Sequence, residues 1–265
     1  MQSKIILFIF SLTTVDICRG SILFRTETEN SSGKIVGGTD AKPHEFPYQI
    51  SLQDRGWHIC GGTILSDVKI ATAAHCCEDY LTTWSDLRVV AGAHVAANSS
   101  EPNQQRRSVN RPRIYDGYDQ YYKTNDACIL TVTEPLELNP AVKAMPLCEV
   151  EPAPGTVCTA TGWGRTNPDG IRWKGPLQKL NMTIVSRPVC ERSYGPLEED
   201  VICAGGVFGK DICFGDSGGP LVCGTGSSKC LAGVASYVSG MGCAQGIPSG
   251  FTNVAWFYKF FTNDG

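Results

Sequence analysis

Histidine is scarce in this chain: four occur in 265 residues, His44, His58, His75 and His94, and none lies beyond position 94. Any chemistry that needs an imidazole must draw it from one of these. Charge is sparse too, at 18% of residues with a net charge of −3. That balance gives no footing for a nucleic acid or an anionic membrane surface. The nearest thing to a run of one sign is Arg106-Arg107 with Arg111-Pro112-Arg113, which reads as a solvated loop. An anion or partner site is the sharper alternative for it. Long apolar runs are missing as well. The one brief stretch, Ile5 to about Val15 behind Lys4, is too short to span a bilayer. It suits a signal peptide over residues 1–20, its end poorly defined, rather than an anchor. No membrane attachment of the mature chain is expected. No internal repeat or low-complexity segment stands out.

Cysteine and glycine, by contrast, are plentiful, with 13 Cys and 29 Gly. Thirteen thiols suit an oxidising compartment, so the expected location is secreted, extracellular. Short apolar runs alternate with Gly, Pro and Asn breaks. Examples are Tyr48–Leu52, Gly62–Leu65, Leu87–Val90 and Ala127–Leu130, then 157–161, 177–184, 220–222, 231–236 and 250–252. This pattern reads as short antiparallel strands in barrels or sandwiches. Residues 254–260 are expected to form a short closing helix.

Chemistry concentrates at Gly215-Asp216-Ser217-Gly218-Gly219-Pro220. A serine hydroxyl needs a base to take its proton and donors to hold the oxyanion it creates. Flanking glycines let the chain turn tightly, so that the amides of Gly215 and Ser217 converge on one point. The pattern also fits the nucleophile elbow of α/β-hydrolases, whose order is Ser, acid, His. With every histidine upstream of Ser217, that reading fails. Upstream, Thr72-Ala73-Ala74-His75-Cys76 supplies an imidazole, and Asn125-Asp126-Ala127 an acid ahead of an apolar strand.

The order His75, Asp126, Ser217 resembles the chymotrypsin-like serine proteases. So do Ile35-Val36-Gly37-Gly38, Cys60-Gly61-Gly62, Gly162-Trp163-Gly164 and Ser236-Tyr237, and the resemblance runs from Ile35 to about Phe261. It implies an all-β fold: two antiparallel six-stranded β-barrels and a short C-terminal helix, with the site between the barrels. The protease domain is then 35–265, its barrels covering about 35–146 and 147–265. It also implies a serine endopeptidase with Ser217 as nucleophile, His75 as base and then acid, Asp126 fixing the imidazole, and an oxyanion hole at Gly215 and Ser217. Polypeptide substrates, no cofactor and a monomer are expected. The alternative class is a catalytically inactive relative that binds a partner. Residues 21–34 read as an activation propeptide, cut after Lys34 by a trypsin-like protease or by the chain itself. The freed amine of Ile35 would then pair with Asp216.

The same resemblance implies disulfides Cys60–Cys76, Cys158–Cys223, Cys190–Cys203 and Cys213–Cys243, with Cys18 leaving in the signal peptide. Cys77, Cys128, Cys148 and Cys230 remain, with three pairings open. Because His75 and Asp126 must meet, Cys77–Cys128 is favoured, leaving Cys148–Cys230. The adjacent His75-Cys76-Cys77 makes a poor metal set, and no metal is expected. The family's calcium loop would fall at residues 93–97, which carry no carboxylate. Sequons at Asn30, Asn98 and Asn181 are candidates for glycosylation.

Specificity is where the motifs conflict. Trypsins carry an acid at the pocket floor, here Asp211, which implies cleavage after Lys or Arg. Beside Ser236, Val238 and Ser249 stand where trypsins have wall glycines, as in pancreatic elastase. A small or aliphatic preference is therefore the alternative.

Overall fold

The computed structural model describes residues 35–168, 170 and 174–263. The signal peptide and propeptide, with Asn30 and Lys34, lie outside the described residues. The chain opens with a two-residue strand, β1 (Thr39–Asp40), and then builds β2 (Gln49–Asp54), β3 (Trp57–Ile64), β4 (Lys69–Thr72), β5 (Leu87–Ala91), β6 (Gln105–Ile114) and β7 (Cys128–Val132). These last six close into an antiparallel barrel in the order β2-β3-β4-β7-β6-β5. The second series is β8 (Val157–Gly162), β9 (Gln178–Val185), β10 (Val201–Gly205), β11 (Pro220–Cys223), β12 (Cys230–Tyr237) and β13 (Pro248–Asn253). It closes through β8-β9-β10-β13-β12-β11, with β1 added at the edge of β9. The protein is thus all-β, with two six-stranded barrels.

Strand β9 shows why. Leu180, Met182 and Ile184 point into the second core while Asn181 and Thr183 face out, the alternation a pleated strand imposes. Strand β2 is buried on both faces, its Ile50 and Leu52 meeting Ile64, Ile70, Val89 and Leu130. Each barrel is also strapped by the far end of the chain. Ile35 packs in the second core, whereas Phe257 and Phe261 pack in the first.

Three sequence expectations need correction, and one element was not expected. The arginine cluster is not a loop but part of β6. Pro112 fits because β6 pairs with β5 only as far as Ser108, and a bulge follows between Val109 and Arg111. The strand expected at Gly62–Leu65 begins at Trp57. The closing helix is α2 of Tyr258–Thr262, displaced from 254–260. Another helix, α1 (Arg187–Tyr194), precedes it in the chain and was not anticipated. Pro188 in its first turn and Gly195, at φ 80°, where it ends, are ordinary start and stop signals.

Six disulfides join Cys60–Cys76, Cys77–Cys128, Cys148–Cys230, Cys158–Cys223, Cys190–Cys203 and Cys213–Cys243. No helix among the described residues is long and apolar enough to cross a membrane.

Candidate active site

His75 sits in a short 3₁₀ turn, Ala74–Cys76, directly after β4. Asp126 ends the loop that enters β7, and β4 and β7 are neighbours in the barrel. The pairing Thr72↔Cys128 therefore brings the two side chains together. His75 Nδ1–H donates to Asp126 Oδ2 at 2.7 Å, and the His75 backbone N–H donates to Oδ1 at 2.9 Å. The Cys77–Cys128 bridge pins the same junction. From the second barrel, Ser236 Oγ donates to Asp126 Oδ2 at 2.5 Å, and Thr252 Oγ1 to its carbonyl at 2.6 Å. Burial works to raise the Asp126 pKa, but the His75 hydrogen bond and charge, with Ser236, hold it below the usual carboxylate range.

Ser217 comes from the turn before β11. It shares one cavity of about 440 Å³ with His75, Lys123, Ile212, Ala235, Ser236 and Val238. No direct hydrogen bond joins Ser217 and His75 in the unliganded site, which is common before substrate tightens such contacts. Gly215 has φ 100°, a region that a side chain disfavours. Its carbonyl accepts from His58 Nε2–H at 2.8 Å, while His58 Nδ1 accepts from Ser51 Oγ at 2.8 Å. With the carbonyl turned that way, the N–H groups of Gly215 and Ser217 find no acceptor among the described residues.

Below the turn, Asp216 is sealed in. Its carboxylate accepts N–H bonds from Gly164 at 2.7 Å and Cys213 at 2.8 Å. A Cβ at Gly164 would lie 2.4 Å from that carboxyl group, so only glycine fits. Burial pushes the Asp216 pKa up to about 7 despite those two bonds, and nearby Asp211 adds to the rise. No cation pairs with it among the described residues. Ile35 is fully buried, and Val36 O accepts from Asp211 N at 3.0 Å.

Asp211 is 1% exposed and is not among the residues lining the cavity. Ser249 Oγ donates to it at 2.5 Å and Ala244 N–H at 3.1 Å. Burial raises its pKa against those donors. Ile212, which sequence reasoning passed over, directly follows Asp211 and does line the cavity. His58 was passed over too, and its signal was its rarity: it is one of only four histidines.

Cys60, His75 and Cys76 cluster closely, but both sulfurs are in a disulfide and offer no thiolate. In the loop at residues 93–97, Glu101 folds back, and its two oxygens accept N–H bonds from His94 and Val95. Asn98 and Asn181 are both exposed.

Comparison with known proteins agrees with this architecture. The Trypsin family model matches residues 35–261. "Anionic trypsin" of Canis lupus familiaris is 37% identical over 84% of this chain and 86% of that protein. "Trypsin" of Xenopus laevis is 35% identical over 87% of this chain and 90% of its own. "Trypsin beta" of Drosophila erecta is 33% identical over 97% and 98%. The chain belongs to the trypsin family of chymotrypsin-like serine proteases. It is a serine endopeptidase, a hydrolase of polypeptides.

Proposed function

We propose that this chain is the precursor of a secreted endopeptidase that attacks peptide bonds through Ser217. The observation that carries this is the cavity lined by both Ser217 and the Asp126-held His75, on a turn whose Gly215 and Ser217 N–H groups find no acceptor among the described residues. Ser217 Oγ attacks the carbonyl as His75 Nε2 takes its proton, and the N–H groups of Gly215 and Ser217 bind the oxyanion. His75 then protonates the departing amine, leaving an acyl-enzyme. Water, activated by the same imidazole, releases the acid. Covalent labelling of Ser217 by a serine-directed phosphonate tests this; no labelling, or labelling unchanged in His75→Ala, refutes it.

Activation follows from Asp216. A cut between Lys34 and Ile35 creates an amine next to a segment already packed in the second core, and that amine supplies the cation Asp216 lacks. The protein acts as a monomer.

For the residue cleaved, the geometry favours a small or aliphatic side chain. Ile212, Ala235 and Val238 line the cavity, and the Asp211 carboxylate, which does not, is satisfied by Ser249 and Ala244. A consequence is that the enzyme does not cut after its own Lys34, so its activator is a separate trypsin-like protease. The second reading, cleavage after Lys or Arg, is favoured by one observation, that the Asp211 carboxylate directly precedes Ile212 and Cys213 of the cavity lining. A cleavage profile on a mixed peptide library separates them.

A further inference from the structure

Asp200 is a buried carboxylate that the proposed mechanism leaves unused. It stands just before β10 in the second barrel and is 2% exposed. Its Oδ2 accepts the backbone N–H of Asn125, across the junction between the barrels. Asn125 is the residue immediately before Asp126 and has φ 55°, the left-handed region. Such a residue needs an outside contact to hold it, since a side chain there is uncommon and costs energy. Asp200 is itself fixed. Its carbonyl accepts from Asn253 N at 2.7 Å, and Asn253 Nδ2 donates to Glu199 O and to Glu151 Oε2, both at 2.9 Å.

The Asn125–Asp126 pair is therefore gripped by three strands of the other barrel. Ser236 of β12 holds the Asp126 carboxylate, Thr252 of β13 holds its carbonyl, and Asp200 at β10 holds the N–H one residue earlier. Removing the first two would release atoms of Asp126 itself. Removing the third would release the turn that aims it. We propose that Asp200 is a positioning residue for catalysis: its carboxylate locks the left-handed turn at Asn125, so that Asp126 meets both N–H groups of His75. This rests on the catalytic reading of Asp126 given above. The chemical requirement is an acceptor oxygen at this place, not a charge, because the partner is a neutral backbone amide.

The test compares Asp200→Ala with Asp200→Asn in full-length protein cut at Lys34–Ile35, with kcat normalised to sites titrated by the phosphonate. That normalisation counts only competently folded molecules. For Asp200→Ala we expect kcat to fall about 10–100-fold with KM nearly unchanged, the scale of a misplaced catalytic group. Asp200→Asn should keep kcat within about threefold of wild type, because its amide oxygen still accepts the Asn125 N–H. The low-field NMR signal of the His75 Nδ1 proton should shift or broaden in Asp200→Ala and persist in Asp200→Asn. This signal reports the His75–Asp126 bond whether or not the protein turns over, so a failure here is distinct from a failure of the catalytic reading. Unchanged kcat per titrated site with an unchanged proton signal in Asp200→Ala overturns the proposal, whatever happens to Tm. An equal loss in both variants overturns it too, because charge rather than acceptance would then be the requirement.

Discussion

The first barrel buries one carboxylate, Asp126, and its loop is met by four donors: two from His75, one each from Ser236 and Thr252. The second barrel buries Asp200, Asp211 and Asp216, and burial raises the pKa of all three. Asp126 of the first barrel is thus held in its charged, working state as soon as the chain folds. The second barrel holds its nucleophile on the turn that carries Asp216, a buried carboxylate that no cation pairs with among the described residues. We read the first barrel as the fixed half of the site and the second as the half that activation and substrate complete.

The sharpest way to break this division is at its two ends. Ser217→Ala and His75→Ala should each lower kcat by about 10⁴–10⁶, because nucleophile and base act as one unit. A loss confined to one of them, measured on the cut protein, would mean that the barrels do not share one mechanism. Next in size is Asp216→Asn in the cut protein. It should lose about 10²–10³ in kcat, the scale of an oxyanion-hole donor, because the turn loses its ion pair. Equal activity in this variant would remove Asp216 from the account.

The pocket gives a smaller, directional effect. Val238→Gly should raise kcat/KM for Lys and Arg substrates by roughly tenfold, comparable to the few methyl groups removed. Asp211→Ser should leave cleavage after Ala, Val or Leu nearly unchanged. A collapse of Lys and Arg cleavage in Asp211→Ser from a dominant starting value would instead support the trypsin-like pocket.

Stability against pH compares the two halves without substrate. In the uncut chain Asp216 has a raised pKa, about 7, so the folded state binds its proton more tightly than the unfolded state. Stability from that proton is fully present below about pH 4 and is lost as pH rises to about 7, by an order of 4 kcal/mol. Asp126 has a lowered pKa, so its contribution runs the other way: present above about pH 4 and lost as pH falls through its folded value. Urea titrations from pH 4 to 8 should therefore show uncut protein weakening relative to an Asp216→Asn variant. Identical slopes would contradict this.

Much of the fold and of the site was legible because the chemistry is local. Gly215 to Pro220, the His75 segment and Asp126 each sit in short motifs whose residues act within the motif. The barrel strands were legible where alternation is clean, as in β9. Strand β6 was hidden because its arginines face outward and Pro112 argues against a strand unless the loss of its β5 partner is known. The pocket was half legible. Asp211 could be read from its distance to Ser217, but whether it faces the substrate depends on Ile212 and Ser249, which converge only in three dimensions. Asp200 and His58 act on backbone atoms of distant residues, and no sequence pattern records such a partner.

The central claim is that the second barrel waits for the Ile35 amine while the first does not. The most direct measurement is the rate of phosphonate labelling at Ser217 in uncut protein and in protein cut after Lys34, with the His75 Nδ1 proton followed in both. Labelling should be slow before the cut and rapid and complete after it, with the same His75 proton signal throughout. Equal labelling rates before and after the cut would contradict it.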